Sequence, residues 1–264
     1  MSSGVDEYWF VFQNEQLVVA KNNDISTIIS IDNVSHLKSH FVREYLIYDN
    51  QKQKVYCAEL SDAAKLNSPF QPITLRSALE LFTDDWYTLA AKAYSIISWD
   101  KNHLFCGRCG AKTLKKPEFF ERVCPQCDLI FYPRISPSII VRITRGDEIL
   151  MARGPHFPKG AYALIAGFIE PGENIESAVQ REVFEEVNIK IKNLKYFGSQ
   201  SWPFPDSLMI AFTAEYDSKE LQINSGEIED AGWYRYDQLP GRPTSHISIS
   251  AKLIDDFIER MENV

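Results

Sequence analysis

Four cysteines fall as CGRC and CPQC, at Cys106, Cys109, Cys124 and Cys127, with fourteen residues between the pairs. Two-residue spacers let both thiolates of a pair reach one ion, and the segment between the pairs must double back as a hairpin. Four thiolates suit tetrahedral Zn2+. The spacing predicts a zinc ribbon over 103–132; a redox dithiol pair and an iron–sulfur cluster are the rival uses of the same array. Four cysteines close the coordination sphere without His103, so the site is structural and keeps no position open for a substrate. Arg108, Lys112, Lys115 and Lys116 flank the array. Zinc ribbons often bind nucleic acid, but a solvated hairpin face is the plainer reading of these four. The fifth cysteine, Cys57 in KVYCAEL, reads as the core of a buried strand, and the odd count argues against a disulfide framework.

The ribbon divides the chain. Before it, YWFVF, QLVVA, STIISI and KVYCAEL carry β-branched and aromatic residues between Asn, Asp and Lys turns, which predicts strands. Trp86, Leu89, Ala90, Ala93, Ile96 and Ile97 then recur at helical spacing, predicting a helix from near Asp84 to about Asp100. After the ribbon, Pro133 and Pro137 punctuate the entry to a new region. There RISPSIIVRIT, EILMARG, AYALIAGFIE, IKIKNLKYFGSQ and LMIAFTAEY read as strands, with helices expected at 174–187 and 247–261. The expected domains are a strand-rich 1–102 ending in a helix, the ribbon at 103–132, and a domain of strands and two helices at 133–264. A net charge of −8 argues against tight non-specific binding to a polyanion. Asp6 and Glu7 stand where a targeting segment wants positive charge, and no apolar run approaches the ~18 residues of a membrane span, so a soluble, cytoplasmic protein is expected.

The stretch REVFEEVN, 181–188, concentrates like charge. On a helix, Glu182 and Glu186 lie one turn apart with Glu185 beside them, at a cost of a few tenths of a kcal/mol per pair. Asn174 is a candidate N-cap. Ile175, Val179 and Val183 form an apolar line, and Ala178, Glu182 and Glu186 the line next to it. The glutamates therefore border the buried face, where a carboxylate needs a cation or a donor. Arg181 has reach for one of them. Divalent metal satisfies them all, and Mg2+ prefers carboxylate and water oxygens while bridging to phosphates. A solvated acidic helix face is the bland alternative.

The wider spacing decides between these. Gly167, Glu173, Arg181, Glu182, Val183, Glu185, Glu186 and Ile189 match the Nudix box, G-x5-E-x7-R-E-U-x-E-E-x-G-U, which this stretch resembles. One position departs: Asn188 stands where the family has glycine. Asn is the next-best residue for the left-handed backbone wanted there. Downstream, SQSWPFPDS, 199–207, resembles the S-Q-P-W-P-F-P-x-S signature of NADH pyrophosphatases, with Ser201 replacing the first proline. That family has the same order of N-terminal domain, four-cysteine ribbon and Nudix domain.

The resemblance implies an α+β chain: a Nudix-type α/β/α sandwich preceded by a zinc ribbon and a strand-rich N-terminal domain. It implies hydrolysis of the pyrophosphate of NAD(H) to nicotinamide mononucleotide and AMP, removal of NAD caps from RNA 5′ ends as in bacterial members, and a homodimer. Metal ligands, for Mg2+ or Mn2+, fall on Glu182 and Glu186 with Glu185 close by, on Glu227 from SGEIEDAGWY, and on the carbonyl of Ala166. Substrate contacts fall on Gln200, Ser201, Trp202, Pro203, Phe204, Pro205, Asp206 and Ser207, and on Arg76, Tyr132, Phe168 and Ser250. Chemistry alone leaves Glu186, Glu185 and Glu227 open as the base, with Glu182 beside them. Two other readings remain: a Nudix hydrolase of another nucleoside diphosphate derivative such as ADP-ribose, and a zinc-ribbon nucleic-acid-binding regulator whose Nudix domain senses a nucleotide.

Overall fold

The computed structural model describes residues 5–22, 25–27, 29–30, 34–116, 119–245 and 247–263. Backbone contacts divide the chain into two units, Met1–Arg134 and Ile135–Val264.

In the first unit, β1 (Asp6–Gln13) and β2 (Gln16–Asn22) form a hairpin. Its two turn residues, Asn14 and Glu15, both take positive φ, as a two-residue turn matched to the strand twist requires. The short strands β3 (Ile25–Thr27) and β4 (Ile29–Ser30) pair with β2 and β1. β5 (Phe41–Asp49), β6 (Gln53–Leu60) and β7 (Phe70–Ile73) complete the sheet, in the order β3-β2-β1-β6-β5 with β7 on β2. β1 lies at its centre and runs parallel to β6, so Trp9, Phe10, Val11 and Phe12 are all buried and the strand reads as a continuous apolar run. After the short α1 (Leu75–Leu79), the long α2 (Asp84–Asn102) packs on β1, β5 and β6 and buries Ala90, Ala93 and Ile97. Cys57 on β6 is fully buried. STIISI falls partly outside the described residues.

The ribbon follows in the same unit: β8 (Leu114–Lys116), β9 (Glu121–Val123) and β10 (Ile130–Phe131) form an antiparallel sheet. A buried chain of charges ties it to the first sheet. Arg122 on β9 holds Thr113 through Nε (2.7 Å) and Nη2 (3.0 Å) and pairs with Asp100 at the end of α2. The second Asp100 oxygen lies 2.8 Å from Nε of Arg43 on β5, and Arg43 pairs with Glu59 on β6. Charges this far from water persist only when paired. Lys115 donates to the Glu44 carbonyl at 2.9 Å and lies over the Tyr45 ring, so this lysine is engaged with β5.

The second unit is an α/β/α sandwich. Its sheet runs β14 (Lys190–Trp202), β15 (Ser207–Ser218), β11 (Ser136–Arg145), β12 (Glu148–Arg153), β16 (Asp230–Arg235), with β13 (Ile165–Phe168) also on β11. The period of two along β11 feeds both layers. Ile139, Val141 and Ile143 meet Val179, Val183 and Val187 of α3 (Ile175–Val187) on one face. Ile140 joins Leu253, Ile254 and Phe257 of α4 (Ile249–Glu262) on the other. Each of these buried apolar side chains contributes roughly 1.5–3 kcal/mol of transfer free energy.

Sequence patterning misses β5, β7, α1 and β16. On β5 only Tyr45 and Ile47 are buried, and Arg43 and Glu44 interrupt the apolar alternation. AYALIAGFIE is strand only from Ile165 to Phe168. No described helix is long and apolar enough to cross a membrane.

Candidate active site

α3 starts where Asn174 accepts the Ser177 amide at 2.8 Å. It ends at Asn188, whose left-handed backbone (φ 58°) lets its N–H reach the Phe184 carbonyl at 2.9 Å. The box glycine position thus demands positive φ, and asparagine meets the demand at modest cost.

Between these caps the carboxylates fall on the edge that faces β13. Glu182 and Glu186 are each only 9% exposed. Gly167 on β13 explains how Glu182 fits: a Cβ there would sit 2.0 Å from the Glu182 carboxyl carbon. The missing side chain is the space that the carboxylate occupies, immediately beside the peptide of Ala166. Ser138 of β11 donates to the Gly167 carbonyl at 2.8 Å and holds that backbone in place.

Arg181 does more than the sequence assigns to it. Its Nε and Nη2 clasp both oxygens of Glu173 at 2.9 and 3.0 Å, Nη1 reaches Glu182 at 2.9 Å and Glu185 at 3.0 Å, and Nη2 also donates to the Phe168 carbonyl at 2.9 Å. One guanidinium serves three carboxylates because the turn at 170–173 folds Glu173 back onto the helix, where the Glu170 amide also holds it at 3.1 Å. Arg181 and that amide keep the Glu173 carboxyl below the usual range.

Glu186 lies beyond that reach, and no cation pairs with it among the described residues. Burial first, then the charges of Glu182, Glu227 and Glu185, push its carboxyl up to about 8. Burial also raises Glu182, against the pull of Arg181. Glu227 joins the group through the loop before β16. The Asn224 amide donates to the Glu186 carbonyl at 2.9 Å and the Gln222 amide to the Val187 carbonyl at 3.1 Å, docking the loop on the helix end. Asn224 then accepts from the Gly226, Glu227 and Ile228 amides and turns the chain toward the glutamates. Sequence reasoning passed over Asn224, although the Asn-Ser-Gly run is a readable turn signal. The donor set is hard, anionic and short of cations, which fits Mg2+ or Mn2+. It is an open set, whose ion would complete its coordination with water and phosphate oxygens.

The aromatic segment is a hairpin tip. β14 ends at Trp202, β15 begins at its partner Ser207, and Pro203 to Asp206 make the turn. Trp202 and Phe204 meet edge to face, ring centroids 5.2 Å apart, and both remain partly exposed. Pro203 and Ser207 are buried, Ser201 and Pro205 exposed, and the Asp206 carbonyl accepts the Ser136 amide at 2.9 Å. Phe168, at the end of β13, is exposed. Gln200 is engaged by backbone at the start of α4, bonding to Ile247 and Ile249. Ser250 lies in the first turn of that helix, with a buried hydroxyl that finds no partner among the described residues. Arg76 on α1 and the exposed Tyr132 after β10 belong to the first unit.

In the ribbon, Cys106, Cys109, Cys124 and Cys127 bring their sulfurs within 4.8 Å of one another. Two matching turns do this. The Gly110 amide returns to the Cys106 carbonyl and the Asp128 amide to the Cys124 carbonyl, each from a positive-φ residue just after the second cysteine of its pair. The Arg108 and Cys127 amides point at the Cys106 and Cys124 sulfurs at 3.4 and 3.3 Å. The Cys109 amide leads in pulling Cys106 down to about 7, with the Arg108 amide helping, while hydrogen bonding with Cys109 leads in pushing Cys127 up to about 12. Four sulfurs this close ionise together only around a cation, which is the environment Zn2+ takes.

Family models match the chain in order. Residues 6–99 match the NADH pyrophosphatase-like rudimentary NUDIX domain, 101–132 the NADH pyrophosphatase zinc ribbon domain, and 133–257 the NUDIX domain. The NAD-capped RNA hydrolase NudC of Chromobacterium violaceum is 46% identical over 192 residues, covering 73% of this chain and 72% of that protein. The NAD-capped RNA hydrolase NudC of Pseudomonas aeruginosa is 44% identical over 216 residues, covering 80% and 75%. Among solved structures, a NUDIX hydrolase from Nitrosomonas europaea aligns with a TM-score of 0.48 at 21% identity, over 60% of this chain and 90% of that one.

Proposed function

We propose that this chain, which belongs to the NADH pyrophosphatase family of Nudix hydrolases, cleaves the pyrophosphate of NAD(H) to nicotinamide mononucleotide and AMP and removes NAD caps from RNA 5′ ends. The observation that carries the reading is Glu186: a buried carboxylate with no cation partner among the described residues, set among Glu182, Glu185 and Glu227. The Ala166 carbonyl and the carboxylates of Glu182, Glu186, Glu185 and Glu227 would hold Mg2+ or Mn2+. When bound, such ions neutralise pyrophosphate oxygens and lower the pKa of a water to near neutrality. The protein's own part is positional and protonic. Arg181 fixes Glu173, Glu182 and Glu185 in one arrangement. A carboxylate takes the proton of the attacking water, with Glu186, Glu185 and Glu227 in reach of the role.

Trp202 and Phe204, with Phe168, offer partly exposed ring faces for a base, and stacking of this kind is worth ~1–3 kcal/mol per base. Ser201, Pro203, Pro205, Asp206 and Ser207 shape that platform, and Ser250 adds a further substrate contact. Zn2+ on the four cysteines is structural. The protein works as a cytoplasmic homodimer, with the ribbon at 103–132 between an N-terminal domain at 1–102 and the Nudix domain at 133–264. The test is kcat/KM with Mg2+ or Mn2+ against NADH, NAD+, ADP-ribose and NAD-capped RNA. Preference for the nicotinamide-bearing substrates is expected; equal or better turnover of ADP-ribose would overturn it.

A further inference from the structure

The C-terminal helix α4 lacks a cap of its own. Ser248 stands at the N-cap position, and its side chain makes no capping hydrogen bond. A side chain from another element does the work. Gln200, two residues before the end of β14, accepts the Ile249 N–H through Oε1 at 2.8 Å and donates through Nε2 to the Ile247 carbonyl. Both ends of the carboxamide are therefore bound by backbone, and Ile247 and Ile249 are themselves buried. On the other side, Gln200 is two positions from Trp202, on the strand that carries the aromatic hairpin. The Ser250 hydroxyl, one residue past Ile249, is buried and unpartnered among the described residues.

We infer that Gln200 is a positioning residue that latches the aromatic hairpin to the first turn of α4. It sets the spacing between the Trp202 and Phe204 rings and the Ser250 hydroxyl, and so governs recognition of the base-bearing part of the dinucleotide without touching it. This rests on the reading of the hairpin as a base platform. The chemistry demands glutamine. A donor must face one carbonyl while an acceptor faces an amide two residues on; asparagine is a methylene short, and ionised glutamate turns an oxygen toward the Ile247 carbonyl.

Three variants test it: Gln200→Ala, Gln200→Met and Gln200→Glu. Losing two hydrogen bonds that fix a recognition element should raise KM for NADH about tenfold while kcat stays within about twofold. Gln200→Glu should resemble Gln200→Met at pH ~8 and return toward wild type as pH falls to ~5.5, because the protonated acid regains the donor and its pKa is raised by the carbonyl it faces. Taking each KM as a ratio to wild type at the same pH removes the titration of the glutamates. Hydrogen exchange supplies a readout independent of substrate: in Gln200→Ala the segments 199–207 and 247–253 should lose protection together, with the rest of the unit unchanged. A KM within twofold of wild type in all three variants overturns the latch, as does loss of protection confined to one segment. If wild type does not turn over NADH at all, the substrate reading falls, and the exchange result still decides the latch.

Discussion

Removing the Glu186 charge should stabilise the metal-free protein, and only at neutral to alkaline pH. The carboxyl titrates near 4.5 in the unfolded chain and at about 8 in the folded one. Between those values the folded protein holds a proton that the unfolded chain has released, so stability falls as pH rises through the interval. At ~1.4 kcal/mol per pH unit, the interval from 4.5 to about 8 sets a ceiling of ~5 kcal/mol. Water reaching a carboxylate at the rim of a cleft lowers this to ~1–3 kcal/mol. Glu186→Gln keeps the shape and deletes the titration. Calorimetry on protein freed of Mg2+ and Mn2+, with its zinc content verified, should give similar melting of the 135–264 unit at pH 5 for both proteins. At pH 8.5 the variant should melt ~3–10 °C higher. Adding Mn2+ should reverse the order, because wild type gains a bound ion and the variant does not. Equal melting at pH 8.5, or a variant destabilised alike at both pH values, would mean that Glu186 is solvated or paired and that the case for a metal at this carboxylate fails.

Turnover of NADH by Glu186→Gln should drop at least ~10²-fold with folding intact, and near-normal kcat would remove Glu186 from the chemistry. Gly167→Ala places a methyl where the Glu182 carboxyl sits, 2.0 Å from its carbon, so kcat should fall ~10- to 100-fold and Mn2+ binding should weaken, read by titration calorimetry. Cys106→Ser should lose zinc by elemental analysis and melt at lower temperature in the 1–134 unit; a wild type without zinc contradicts the ribbon reading. Trp202→Ala or Phe204→Ala should cut kcat/KM for NADH ~5- to 150-fold and that for a small, poorly recognised dinucleotide less. An equal loss on both that tracks melting would make the rings core filler.

Local pattern reaches some parts of this molecule and stops at others. The helix over 175–187 is readable because its cap, apolar line and left-handed stop are all within a few residues of one another. The ribbon is readable because ligand spacing is itself local geometry. Gly167 stands out in sequence, yet its reason lies fifteen residues away in the Glu182 carboxyl, a contact that exists only once β13 packs on α3. Helix spacing assigns Arg181 one partner because it shows only near neighbours, whereas the turn that returns Glu173 does not show in periodicity. Which loop closes the far end of the glutamate group depends on the Asn224 amide finding the Glu186 carbonyl, a pairing that tertiary structure alone defines. The place of Gln200 in a signature implies a substrate contact, whereas its hydrogen bonds to the Ile247 and Ile249 backbone depend on tertiary structure that local pattern does not show.

The buried charges Arg122, Asp100, Arg43 and Glu59 bear on how this chain can be recombined. The natural cutting point between the N-terminal family match and the ribbon lies at 99–101, and Asp100 sits on it. A chimera that grafts this ribbon onto a foreign N-terminal domain inherits Arg122 and has to be given an acid at the last turn of the incoming helix. A donor domain without one leaves a guanidinium stranded out of water. The ribbon is therefore interchangeable only as a matched set with the helix that precedes it, and a library built by swapping the three segments freely should be depleted of every join that breaks this pair.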